Sequence, residues 1–129
     1  MSNGQLRVLV VDPDAAVRAL IVALLRREGY ETEAAADLEG ALKRARDRAH
    51  AAVVVDPRMT GGDGLLDDLS AAAPAERPNL VVVTTPDGPI ARYRSRPAVC
   101  AVVFKPFPID ELTLAVANCC HAAAREEQN

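Results

Sequence analysis

Aromatic residues are scarce: two Tyr, two Phe and no Trp make up 3% of the 129 residues. Little is left for stacking on nucleic-acid bases. Basic runs are no longer than a dipeptide, and 15 Lys and Arg stand against 18 Asp and Glu, a net charge of −3. Direct DNA binding by this chain is therefore not expected. No apolar run approaches the ~20 residues of a membrane span, and the N-terminal Met-Ser-Asn-Gly-Gln lacks the basic and apolar regions of a signal peptide. A cytoplasmic protein without membrane association is the expectation. Cysteine is rare and odd in number: Cys100, Cys119 and Cys120, with no C-x-x-C spacing. Three cysteines make no disulfide framework. Cys119, Cys120 and His121 are poorly placed as metal ligands, because neighbours on a helix diverge by ~100°. Buried or half-buried thiols in a reducing compartment are expected instead.

What is present is aliphatic and organised. The length suits one domain with an ordinary core. Leu6 to Val11, Ala51 to Val55 and Leu80 to Val83 are short, nearly continuous apolar runs rich in Val, and Val99 to Phe104 is almost as apolar. Continuous hydrophobicity suits parallel strands covered on both faces. Tyr30 to Ala34 is more polar and reads as an edge strand. Between the runs the period becomes helical. Val17, Leu20, Ile21, Leu24 and Leu25 form one stripe ended by Gly29. Asp37 is placed to cap a helix carrying Leu38, Ala41, Leu42 and Ala45, whose basic outer face reads as simple solvation. Leu65, Leu66 and Leu69 mark a short third helix, and Leu112, Ala115, Val116 and Cys119 a last one entered through Pro108. From Thr85 to Pro97, prolines leave room for barely two helical turns around Ile90 to Arg94. Strand alternating with helix predicts an α/β fold, a doubly wound five-stranded parallel sheet flanked by helices. Met1 to Gln5 and the stretch from His121 to Asn129 are expected to fray.

Four strands end in a polar side chain: Asp12, Asp56, Thr84 and Lys105. A single acid after a strand is often only a cap, but ligands of open α/β sheets bind at the carboxyl ends of the strands. Two acids, a hydroxyl and an amine on one rim point to charge chemistry there.

The chain resembles the receiver domain of bacterial two-component response regulators. The resemblance is carried by Val-Leu-Val-Val-Asp at 8–12, Val-Val-Asp-Pro-Arg-Met-Thr-Gly-Gly-Asp-Gly-Leu at 54–65, Val-Val-Val-Thr-Thr at 81–85 and Phe-Lys-Pro-Phe at 104–107. It implies a flavodoxin-like receiver fold with strand order 2-1-3-4-5, a receiver domain over residues 6–122, terminal tails at 1–5 and 123–129, and no output domain in this chain. It also implies phosphoryl transfer from a histidine kinase or phosphotransfer protein to Asp56, with output by protein contact to a downstream target rather than by enzymatic activity. Self-association as a homodimer stays open. By position, Lys105 is similar to the family's charge-neutralising lysine and Thr84 to its phosphoryl-binding hydroxyl. Lys105-Pro106 is placed for the family's cis peptide.

Departures concern the metal and the switch. The family carries two consecutive acids after its first strand; here Asp12-Pro13-Asp14 puts Pro13 where the direct Mg²⁺ ligand stands and Asp14 one residue too far along. Asp12, Asp56 and the backbone carbonyl of Arg58 remain as a weakened Mg²⁺ set. The Arg58 side chain is either simply exposed or swung over Asp12 and Asp56 in place of metal charge. Val102 stands where the family has a switching aromatic, and Thr85 where it has a small residue, narrowing access to the acceptor. Two alternatives follow. One is a degenerate receiver acting as a phosphorylation-independent interaction module. The other is a phosphatase, since Asp12-Pro13-Asp14 resembles the D-x-D opening of haloacid-dehalogenase-like hydrolases; it lacks their last acidic motif and room for a cap domain.

Overall fold

A computed structural model of the chain describes residues 6–72 and 77–128, with side chains as far as His121. The elements run β1 (Arg7–Val11), α1 (Ala15–Arg27), β2 (Glu31–Ala35), α2 (Leu38–Asp47), β3 (Ala52–Val55), α3 (Gly62–Ser70), β4 (Asn79–Thr84), α4 (Ile90–Arg94), β5 (Val99–Phe104) and α5 (Ile109–Gln128). All strand pairs are parallel, in the order β2-β1-β3-β4-β5. The anticipated doubly wound sheet is present. The three continuous valine-rich runs are its interior strands, since only strands covered on both faces can be apolar at every position. The more polar β2 lies on one edge, one residue later than its composition suggested, and β5 lies on the other.

Strand side chains alternate between two cores. Val8, Val10, Val54, Val81 and Val83 meet Ile21, Leu24 and Leu25 of α1 and Leu112 and Val116 of α5. Leu9, Val11, Val53, Val55 and Val82 meet Leu65, Leu66 and Leu69 of α3, Ala41 of α2 and Tyr93 of α4. Local signals fix the element ends. Asp37 Oδ1 accepts from Gly40 N at 2.8 Å, capping α2, and Gly29 turns through φ 95° after α1. Gly62 opens α3 where a Cβ would lie 1.9 Å from the Pro57 carbonyl oxygen, so only glycine fits.

Two expectations are corrected. Cys100 and Cys119 are disulfide-bonded, joining β5 to α5, and only Cys120 of the three is a free, buried thiol. The partners lie on different elements, and their proximity depends on a strand register that spacing does not reveal. Second, α5 continues to Gln128, so His121 to Gln128 is helical rather than frayed, in keeping with the high helix propensity of alanine, while Asn129 lies outside the described residues. The expected tail at residues 1–5 lies outside the described residues. No described helix is long and apolar enough to cross a membrane.

Candidate functional site

The sheet ladder reaches one residue past three of its strands. Asp12 N donates to Ala35 O at 3.2 Å, Asp56 N to Val11 O at 3.1 Å and Lys105 N to Thr84 O at 2.8 Å. These backbone bonds hold Asp12, Asp56 and Lys105 on one rim. Lys105 Nζ then donates to Asp12 Oδ2 and Asp56 Oδ2, each at 2.8 Å. The other oxygens are held by the chain itself: Asp14 N donates to Asp12 Oδ1 at 2.8 Å and Arg58 N to Asp56 Oδ1 at 3.0 Å. Two buried carboxylates thus share one ammonium, with side-chain exposures of 3% for Asp12, 12% for Asp56 and 19% for Lys105. Burial pulls the lysine pKa down, but the hydrogen bonds and charges of Asp12 and Asp56 outweigh it, and Lys105 is held above the ordinary lysine value. The Lys105–Pro106 peptide is cis.

Thr84 is fully buried, and its hydroxyl has no hydrogen-bond partner among the described residues. A buried hydroxyl without a partner is uncommon and marks a place where an acceptor oxygen would be welcome.

Several residues take positions that the sequence left open. Asp14 is the N-cap of α1; its Oδ1 accepts from Ala16 N at 2.9 Å and Val17 N at 3.2 Å. Arg58 does not lean over Asp12 and Asp56. Its guanidinium pairs with Asp87 at 2.9 Å and with the Thr85 hydroxyl, which also bonds Asp87. Val102 is half-buried against the α2–α3–α4 core, and the buried aromatic of that face is Tyr93, to which composition gave no pointer. Also unforeseen is Arg18, whose Nη1 donates to the Asp12 backbone carbonyl at 2.8 Å. A cleft of about 470 Å³ opens beside the rim between the β3–α3 and β4–α4 connections, lined by Arg58, Asp63, Asp87, Arg92 and Tyr93. Asp12, Asp56, Thr84 and Lys105 are not among its walls.

The donor set can be tested for a divalent cation. Mg²⁺ is commonly held by one or two carboxylates plus water and phosphate oxygens. Asp12 and Asp56, brought together on one ammonium, fit that minimal set. Asp14 does not add to it, since its carboxylate caps α1, and among the described residues no group of three His, Cys, Asp or Glu is placed to hold a metal ion.

Residues 8–117 match the response regulator receiver domain family. The chain belongs to that family. This receiver domain resembles the NtrX-like response regulators of Rickettsia conorii and Rickettsia felis, each 28% identical over 98% of this chain and 27% of the relative. It thus spans about a quarter of the length of these relatives. The crystal structure of NtrX from Brucella abortus in complex with ADP superposes with a TM-score of 0.87 at 27% identity, covering 99% of this chain and 28% of that one. CheY4 of Vibrio cholerae, a chemotaxis response regulator, shares the fold with a TM-score of 0.77 at 22% identity, covering 88% of this receiver domain and 98% of that chain. The family match places Asp12-Pro13-Asp14 within a receiver domain.

Proposed function

We propose that this receiver domain accepts a phosphoryl group on Asp56 from a histidine kinase or phosphotransfer protein and passes the signal on by protein contact, as a regulatory domain and not an enzyme. The observation that carries the reading is the Lys105 ammonium shared by Asp12 and Asp56 at 2.8 Å to each, on the rim where Thr84 ends β4 with a buried hydroxyl that has no partner among the described residues.

The chemistry follows from charge. A carboxylate attacking a phosphoryl group brings one anion against another, so the catalytic need is for cations already in place. The carboxylate of Asp56 attacks phosphorus in line; the new O–P bond forms as the P–N bond to the donor imidazole breaks, and the imidazole leaves with the bonding pair. Asp56 is held in place by the Arg58 backbone N–H. Lys105 already touches Asp56 and needs only a small shift of its ammonium to follow the arriving phosphoryl oxygens. Thr84 supplies the hydroxyl that one of those oxygens accepts from. Receiver domains generally bind Mg²⁺ at this acidic pocket; here Asp12, Asp56 and the Arg58 backbone carbonyl would hold it, and when bound it offsets phosphoryl charge.

One observation favours a second reading. The third acid of the rim, Asp14, is committed to capping α1, and α4 spans only Ile90–Arg94, which suits an interaction module that does not depend on phosphorylation. Intact-mass measurement after incubation with a small phosphodonor and Mg²⁺ separates the two. One added phosphoryl group, lost in Asp56→Asn, is expected; no adduct at any Mg²⁺ concentration would leave the interaction module as the reading.

A further inference from the structure

The ladder between β4 and β5 skips one residue. Leu80 pairs with Val99 and Val81 with Ala101, leaving Cys100 without a partner on β4. An extra residue in a strand interrupts the alternation of faces and re-aims a side chain. Ala101 packs against the core shared with α5, and the bulge lets Cys100 reach that same helix, where Cys119 stands with its Cα 5.9 Å away. That separation lies within the range a disulfide spans without backbone movement. The two halves differ in access: Cys100 is exposed on an edge strand, whereas Cys119 is 1% exposed. Their bond closes the segment that carries Phe104, Lys105, Pro106 and the start of α5 into one covalent loop.

We propose that Cys100 and Cys119 form a reversible thiol–disulfide site, reduced by a dithiol from the Cys100 side, whose state governs how tightly the Lys105-bearing segment is held against the sheet. A thiolate of the dithiol attacks Cys100 Sγ, forming a mixed disulfide as Cys119 leaves and takes up a proton. The second thiol of the reductant then closes its own disulfide and releases Cys100 as a thiol. Two electrons and two protons pass from dithiol to protein, and oxidation by the disulfide form of the same reagent reverses them. Exposed disulfides are the labile ones, and in a thiol-buffered compartment such bonds are transient and redox-sensing. The neighbouring Cys120 does not compete. It is 3% exposed, and burial pushes its thiol up to about 11, so it is held as the unreactive thiol. The thiol chemistry at Cys100 and Cys119 requires no phosphoryl transfer to Asp56.

Equilibration of the native chain in buffers of reduced and oxidised dithiothreitol, followed by iodoacetamide and intact mass, tests the chemistry. The oxidised form is expected to take no label and the reduced form one, on Cys100, with the change reversing in oxidised buffer. Hydrogen exchange across residues 104–112 is expected to be several-fold faster in the reduced form. Cys100→Ser, an exposed substitution, is expected to show the fast exchange in both buffers. Labelling of Cys100 in both buffers, reduction only under denaturing conditions, or equal exchange in the two forms would each overturn the proposal.

Discussion

Lys105→Met removes the ammonium and keeps much of the side-chain volume. It leaves Asp12 and Asp56 facing each other, with Oδ2 atoms no farther apart than twice the 2.8 Å that separates each from Nζ. Two unit charges about 5 Å apart at an effective dielectric of about 20 repel by roughly 3 kcal/mol. Removing one partner of a fully buried pair costs about 3–5 kcal/mol, and the 19% exposure of the Lys105 side chain trims that range. The variant is therefore expected to lose about 2–4 kcal/mol at neutral pH. Asp12→Asn on the Lys105→Met background is expected to restore most of the loss, because the remaining carboxylate then has no like charge beside it. Urea unfolding followed by far-UV circular dichroism is the assay, since the chain has no Trp. A deficit below about 0.5 kcal/mol would show that the two acids are not held together by this lysine.

Asp14→Ala is expected to cost about 1 kcal/mol through loss of the α1 cap while leaving Mg²⁺ affinity unchanged by calorimetry; a weakened Mg²⁺ isotherm would return Asp14 to the ligand set. Gly62→Ala forces a methyl onto the Pro57 carbonyl and is expected to lower stability by about 3 kcal/mol or more, read as a fall in urea midpoint; a neutral result would show that the β3–α3 turn yields. His50 is held below its ordinary value of 6.5, first by burial, against the opposing pull of its bond to Glu33. The folded chain therefore binds that proton less readily than the unfolded chain, and the contribution is present above the ordinary histidine value and lost as pH falls. The urea midpoint is expected to drop on acidification through that range, and to drop less in His50→Gln; a midpoint that rises would contradict the assignment.

The parts of the fold written in local pattern were legible. Val8 to Val11, Val53 to Val55 and Leu80 to Val83 are apolar at every position because helices cover both faces, and a strand with one face in water would alternate instead. Asp12, Asp56, Thr84 and Lys105 stood out because each ends a strand, and strand ends converge on one rim by topology alone. What escaped depends on contacts between distant segments. The turn of Arg58 toward Asp87 rather than toward the acids is decided by the path of the β4–α4 connection, 29 residues away in sequence. The Cys100–Cys119 bond depends on a one-residue bulge, which a valine-rich strand does not advertise. Asp14 was ambiguous for another reason: Asp-Pro-Asp before a helix reads both as a broken ligand pair and as a good cap, and only the bonds to Ala16 N and Val17 N distinguish them.

Whether Asp56 takes the phosphoryl group is read by ³¹P NMR of the chain treated with a small phosphodonor and Mg²⁺. One protein-bound resonance is predicted, labile to hydroxylamine as an acyl phosphate must be, absent from Asp56→Asn and diminished in Lys105→Met. No such resonance in the wild-type chain, or one that persists in Asp56→Asn, would contradict phosphoryl transfer to Asp56.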